Sequence, residues 1–168
     1  LTAAGEALLL LAASAIPACA EREADARPQL VVVLDTDMPT FGQVTRDETL
    51  SREAAVDTVR VEIVDDAGRA VTFREFAAPD VSDWPLSFGM VPSDAVGGVV
   101  RLHIRVFAAR DASPSELDGV PTLEPAIHTS IARLVEIALP ASGVRTVRVH
   151  LAGDCFGVPA SFVEPRRT

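Results

Sequence analysis

Strict alternation of apolar and polar residues is the feature that most constrains what this chain can fold into. Three segments show it: TVRVEIV over residues 58–64, RLHIRVF over 101–107 and TVRVHL over 146–151. Successive side chains of a β-strand point to opposite faces, so a period of two predicts strands with one buried and one solvated face. Such alternation is typical of antiparallel sheets, because strands of parallel sheets are usually apolar on both faces.

The same alternation divides the residues between core and solvent. The predicted core positions are Val59, Val61, Ile63, Leu102, Ile104, Val106, Val147, Val149 and Leu151. The polar residues between them, including Arg60, Glu62, His103 and His150, are predicted to face water.

Further segments complete the predicted sheets. Strands are expected at residues 30–34, 69–76, 85–90 and 134–139. About seven strands without a long helix indicate an all-β protein, an antiparallel β-sandwich of immunoglobulin-like or transthyretin-like type.

The predicted connections are of two kinds. Asp65–Gly68 and Pro140–Gly143 each end in a glycine between two strands and predict hairpin turns. Residues 38–55 and 108–130 are polar and predict long loops, the first with one helical turn capped by Ser51.

The start of the chain predicts export. The apolar run ALLLLAASA over residues 7–15 is followed by Ile16-Pro17-Ala18-Cys19 and then by charged residues. This pattern predicts a signal peptide over residues 1–20, which we expect to be incomplete at its N-terminus because it lacks Met and a basic start. The Ile-Pro-Ala-Cys ending resembles the lipobox of bacterial lipoproteins, which implies a lipid on Cys19. Simple secretion with cleavage after Ala20, or a structural helix, are the alternatives.

The rest of the chain forms one predicted domain. Residues 21–28 are predicted to be a tether, 29–160 the β-sandwich, and 161–168 a tail, for which the cut end of a longer protein is one of two open interpretations. The net charge of −9 and the lack of a basic patch exclude nucleic acid as an expected partner.

The cysteine count is odd once Cys19 is set aside. Exported proteins usually pair their thiols, so Cys155 is either a buried free thiol, or bonded to another chain, or bonded to a later segment. We predict the last of these, a disulfide to a segment beyond Thr168 of a longer protein.

No combination of residues predicts catalysis or metal binding. There is no Gly-x-Ser-x-Gly motif, and His103 and His150 would share a zinc ion only if their strands were neighbours. The acidic group Asp35, Asp37, Asp47 and Glu48 lacks the spacing of a calcium loop. We therefore predict a protein that is not an enzyme and has no catalytic residue, no metal and no cofactor.

Trp84 is the only tryptophan and is followed by Pro85. A single Trp most often anchors a sandwich core, and this interpretation is favoured. The alternative is that Trp84 contacts a partner, either a protein or a carbohydrate.

A resemblance extends over nearly the whole chain. It rests on the succession PQLVVVLDTDMP, AAVDTVRVEIVDDAG, FAAPDVSDWPLSFG, VVRLHIRVFAAR and LVEIALPASGVRTVRVHLAGDCFGVPASF. This succession resembles an N-terminal β-sandwich domain of exported lipoproteins from high-GC bacteria, some of which continue into a domain similar to formylglycine-generating enzymes (sulfatase-modifying factors). The resemblance implies a surface accessory domain and brings no catalytic residue with it.

Together these observations predict a non-catalytic binding or scaffolding module. It is expected to be a lipoprotein of a Gram-negative-type bacterium, anchored through Cys19 in the periplasm or on the cell surface, with an unknown protein or carbohydrate ligand. The alternative is the N-terminal accessory region of an exported protein of the formylglycine-generating-enzyme type, whose catalytic domain lies outside this chain.

Overall fold

A computed structural model describes residues 27–91, 98–117 and 119–160. The predicted signal peptide with Cys19, most of the tether and the tail lie outside these residues. The described residues contain one short helix, α1 (Phe41–Val44), and the strands β1 (Gln29–Thr36), β2 (Thr58–Val64), β3 (Ala70–Ala77), β4 (Leu86–Met90), β5 (Val99–Phe107), β6 (Ala112–Leu117), β7 (Val120–Pro125), β8 (Ser130–Ala138) and β9 (Val144–Leu151).

The strands form the predicted all-β sandwich. One sheet has three strands in the order β4-β1-β9, and the other has four in the order β3-β2-β5-β8. All pairs in the four-stranded sheet are antiparallel. The strands β6 and β7 form a separate hairpin, which lies against the outer face of the four-stranded sheet.

The pairing of β1 differs from the prediction of antiparallel sheets. It runs antiparallel to β4 but parallel to β9. The apolar run of β1 is consistent with its central position between two strands. Because β8 and β9 lie in different sheets, the turn at Pro140–Gly143 crosses between the sheets, and the predicted hairpin there is wrong. The hairpin predicted at Asp65–Gly68 is confirmed, with Gly68 at φ +76° joining β2 to β3.

The direction of the strands gives the sandwich two distinct ends. The basal end contains the start of β1 at Gln29 and the end of β4 at Met90, since Leu30 pairs with Met90. The distal end contains Thr36, which pairs with Leu151 at the other end of the same strands. The chain therefore enters the sandwich at its basal end.

The predicted core is confirmed. Leu102, Ile104 and Val106 are fully buried, as are Val59 and Leu151. Ile63 and Val147 are partly buried and pack against this core. Each alternating stripe thus faces the opposite sheet, as the period of two requires.

The predicted loop over residues 108–130 is wrong. It contains β6 and β7 and two short 3-10 helices, so about seven predicted strands become nine within the described residues. The other predicted loop, over residues 38–55, contains α1 and a 3-10 helix at Arg52–Ala54. The predicted turn is therefore present, but the side chain of Ser51 makes no capping hydrogen bond.

The prediction that the polar residues of β2 face water is also wrong. Arg60 is 2% exposed and Glu62 is 4% exposed, and Arg105 on the neighbouring strand is buried too. The hairpin covers this face of the sheet, and the paired charges take the place of water.

Candidate binding site at the distal end

A pocket of about 380 Å³ opens at the distal end of the three-stranded sheet. Its polar wall comes from the end of β1 and the residues that follow, with Asp35, Thr36 and Asp37, and from Gln43 of α1. Its apolar wall is made by Met38, Pro39, Leu50, Val81 and Trp84, and Thr40 completes the lining. Its volume lies within the range of small-ligand sites.

Local hydrogen bonds hold the polar wall in place. The hydroxyl of Thr36 donates to the carbonyl of Leu151 at 2.7 Å and ties the end of β1 to β9. Thr40 caps α1, and its backbone N–H in turn donates to Oε1 of Gln43 at 2.8 Å. This reciprocal capping box explains why a helix of four residues forms here, since capping compensates for its small number of internal bonds.

Trp84 belongs to the core and to the pocket at once. Its side chain is partly buried and packs against the core cluster without being one of its buried members, and the alternative of a partner contact stays a prediction. It also lines the pocket. Its indole Nε1 is buried and has no hydrogen-bond partner among the described residues.

The acidic group near the end of β1 separates into two parts. Asp47 accepts hydrogen bonds from the hydroxyl and the backbone N–H of Thr49, and both bonds lower its pKa. Asp35 and Asp37 instead line the pocket, where Asp37 accepts a hydrogen bond from Gly153 at 2.5 Å and lies 3.8 Å from Nε2 of His150. The pocket therefore carries two exposed carboxylates and no positively charged lining residue.

A second polar cluster lies beneath the hairpin, and we name it the outer-face network: Arg60, Glu62, Glu75, His103, Arg105 and Glu124. Glu62 is at its centre, 2.8 Å from Arg60 and 2.7 Å from Arg105. Burial alone would raise the pKa of Glu62, but the hydrogen bond with His103 and the charges of Arg105 and Arg60 outweigh burial and lower it. Glu62 is therefore held ionised among its partners.

Arg105 joins this network to the hairpin. Burial alone would lower its pKa, but hydrogen bonds and charge interactions with Glu124 and Glu62 raise it. The Nε atoms of Arg60 and Arg105 are buried without a partner among the described residues, so the network is not fully satisfied. Replacing such a buried ion pair by apolar residues is often neutral, whereas removing only one of its partners is strongly destabilising.

The two histidines considered for a metal site lie in different sheets. His103 is on β5, within 2.9 Å of Glu62, whereas His150 is on β9 next to Asp37. They cannot share an ion, and the described residues contain no cluster of three or more metal-ligating side chains.

Cys155 lies at the distal end, in a 3-10 helix at Gly153–Cys155 directly after β9. Its thiol is exposed and has no disulfide partner among the described residues, so the alternative of a buried thiol is wrong. The predicted disulfide concerns a segment beyond Thr168 and stays a prediction.

Sequence reasoning missed the role of Glu124 and Arg105, because it did not predict the hairpin that brings them together. A signal for that hairpin was present. Asp118-Gly119 is a dipeptide that strongly favours a two-residue hairpin turn, and Gly119 has φ +78°. Three prolines in the flanking segments, Pro114, Pro121 and Pro125, obscured it because proline is unfavourable in central strands.

Comparison of the chain with protein-family models, with curated proteins and with solved structures gives no significant match. In the part of the chain that the structure describes, no helix has the length and apolar character needed to cross a bilayer.

Proposed function

We propose that this protein is an exported, lipid-anchored β-sandwich that presents a binding pocket at the end of the domain farthest from its anchor. It acts by binding rather than by catalysis. The proposal combines the lipobox-like sequence at Cys19 with the two ends of the sandwich described above.

The position of the pocket is the observation that carries this proposal. The chain enters at Gln29, at the basal end, and β1 then runs to Thr36 at the rim of the pocket. Eight strand residues at about 3.3 Å each span about 26 Å, so the pocket lies about that far from the point where the chain enters the sandwich. Such a separation suits a module that is anchored before residue 29 and binds a ligand beyond the membrane surface.

The lining favours a ligand with a positive charge and an apolar body. Asp35 and Asp37 supply negative charge, and the protein carries a net charge of −9, which attracts cations. Leu50 and Val81 offer exposed apolar surface, and the face of an indole such as Trp84 attracts cations. A neutral carbohydrate is the competing ligand, because carboxylates and an aromatic ring also suit hydroxyl groups.

Fluorescence of Trp84 tests the pocket directly, because it is the only tryptophan. Titration with 1,6-diaminohexane is expected to change the emission with saturation, whereas 1,6-hexanediol and maltose are expected to leave it unchanged. The variant Asp37→Asn is expected to weaken the diamine response several-fold, and Asp66→Asn, at the opposite end, to leave it unchanged. Saturation by maltose would indicate a carbohydrate site, and no response to any of the three probes would contradict a binding pocket.

Mass spectrometry tests the anchor. Protein extracted from bacterial membranes is expected to begin at Cys19 and to carry acyl mass, and Cys19→Ala is expected to abolish both. Cys155→Ala is the matched control and is expected to keep the lipid. An unmodified chain beginning at Glu21 would contradict the anchor and support simple secretion.

One observation favours the alternative of an accessory N-terminal domain. Gly157, near the end of the described chain, donates its backbone N–H to the carbonyl of Ser130 at the distal end. The chain thus enters and leaves the sandwich at opposite ends, which suits a spacer placed between an anchor and a further domain. The reading frame beyond Thr168 tests it, and non-reducing peptide mapping of the full-length protein tests the disulfide of Cys155.

A further inference from the structure

The hairpin of β6 and β7 is attached to the sheet by three consecutive residues of β7. Thr122 donates its hydroxyl to Oε1 of Glu75 at 2.8 Å, and the carbonyl of Leu123 accepts from Nη1 of Arg60 at 2.8 Å. Glu124 accepts from Nη1 of Arg105 at 2.5 Å. Among the described residues, β6 makes no hydrogen bond to the sheet.

The two arginine side chains of the sheet that contact the hairpin are also bound to partners within the sheet. The side chain of Arg60 is 2% exposed, packs over the ring of Phe73 at 4.7 Å from its centroid, and pairs with Glu62. Arg105 is held by the same carboxylate at 2.7 Å. The two guanidinium groups that contact the hairpin are therefore also held by partners within the sheet.

The hairpin makes few apolar contacts that would hold it on the four-stranded sheet. Four consecutive residues of β6, Ser113 to Glu116, are exposed, and in β7 only Thr122 and Pro125 are buried. A two-stranded hairpin is only marginally stable by itself, so its order depends on docking. The side chain of Glu124 is 50% exposed, and an ion pair with such a partner is screened by salt.

We propose that the β6–β7 hairpin is a flap, latched by Glu124, that opens as a unit while the sandwich stays folded. Opening uncovers Arg60 and Arg105 together with Glu62 and Glu75, the carboxylates of the sheet that lie beside them. The proposal rests on the hairpin contacts alone and does not depend on the proposed function of the distal pocket.

Hydrogen exchange measured by mass spectrometry tests the flap in the whole protein. Raising sodium chloride from 0.05 M to 1 M is expected to speed exchange of the amides in residues 112–125 about fivefold, as expected for the loss of one ion pair with an exposed partner. Amides of β2 and β5 are expected to change less than twofold. Glu124→Gln is expected to reproduce the effect of salt at 0.05 M, whereas Glu116→Gln, an equal charge change on the exposed strand of the same hairpin, is expected to match the wild type.

Two results would overturn the proposal. Equal acceleration in the hairpin and in β5 would mean that the hairpin opens only when the whole domain unfolds. Equal behaviour of Glu124→Gln and Glu116→Gln would mean that Glu124 is not the latch. Exchange in β5 also reports whether a variant has lost its fold, so a misfolded variant counts against the flap.

Discussion

The two faces of the four-stranded sheet are covered by different means, and the outer face is covered only in part. The inner face is covered by the other sheet through apolar contacts, with Leu102 and Ile104 fully buried. The outer face is covered by the hairpin, and its buried residues Arg60, Glu62 and Arg105 are charged. Alternation along a strand therefore shows which residues share a face, but it does not show whether the polar face meets water.

The largest expected effect is on the inner face. Ile104→Ala removes a fully buried side chain from the core and is expected to lower the free energy of unfolding by about 4 kcal/mol, within the range for such truncations. Denaturant titration measures it. Val71→Ala, a truncation at an exposed valine of the same sheet, is the control and is expected to change stability by less than about 0.5 kcal/mol. Equal losses for the two variants would place the core elsewhere.

The inner face was predictable because burial there follows from local pattern. Val59, Leu102 and Val149 each lie two residues from the next core position, and the strand period alone gives their side. The outer face was not predictable in this way. Its burial depends on Glu124, which lies 64 residues from Arg60 in sequence. It also depends on a hairpin that was hard to predict, because its strands contain prolines. For the pocket, sequence reasoning identified Trp84, Asp35 and Asp37 but did not bring them together.

The next largest loss of unfolding free energy is expected for a substitution at the centre of the outer face. Glu62→Gln removes the buried charge that Arg60 and Arg105 share and is expected to cost about 3 kcal/mol, because two guanidinium groups then lose their common partner. Glu136→Gln, which breaks an exposed pair with Arg101 in the same sheet, is expected to cost at most about 1 kcal/mol. A cost for Glu62→Gln no larger than for Glu136→Gln would show a solvated outer face.

The pH dependence of stability is expected to arise from the outer face of the four-stranded sheet, where Glu62 lies. The pKa of Glu62 is lowered in the folded protein, so its contribution to stability is complete above its usual value of 4.5 and is lost as the pH falls through the lower folded value. Unfolding free energies measured between pH 7 and about pH 3 are expected to fall more steeply for the wild type than for Glu62→Gln. Parallel curves for the two proteins would mean that Glu62 titrates alike folded and unfolded.

Smaller losses of stability are expected for substitutions of His103 and His150. His103→Ala removes a hydrogen bond to buried Glu62 and is expected to cost about 1 kcal/mol. His150→Ala, at an exposed position of the other sheet, is expected to stay within about 0.5 kcal/mol. Thermal unfolding of both variants at neutral pH compares them, and equal costs would contradict the difference in burial between the two positions.

The most direct test of a covered outer face is a double-mutant cycle across the hairpin contact. Arg105→Gln and Glu124→Gln, alone and combined, are compared by denaturant titration, with Arg105→Gln and Glu116→Gln as the control cycle. We predict a coupling energy of about 1 kcal/mol for Arg105 with Glu124 and none for Arg105 with Glu116. Equal coupling in the two cycles, or none in either, would contradict a hairpin held on the sheet by this ion pair.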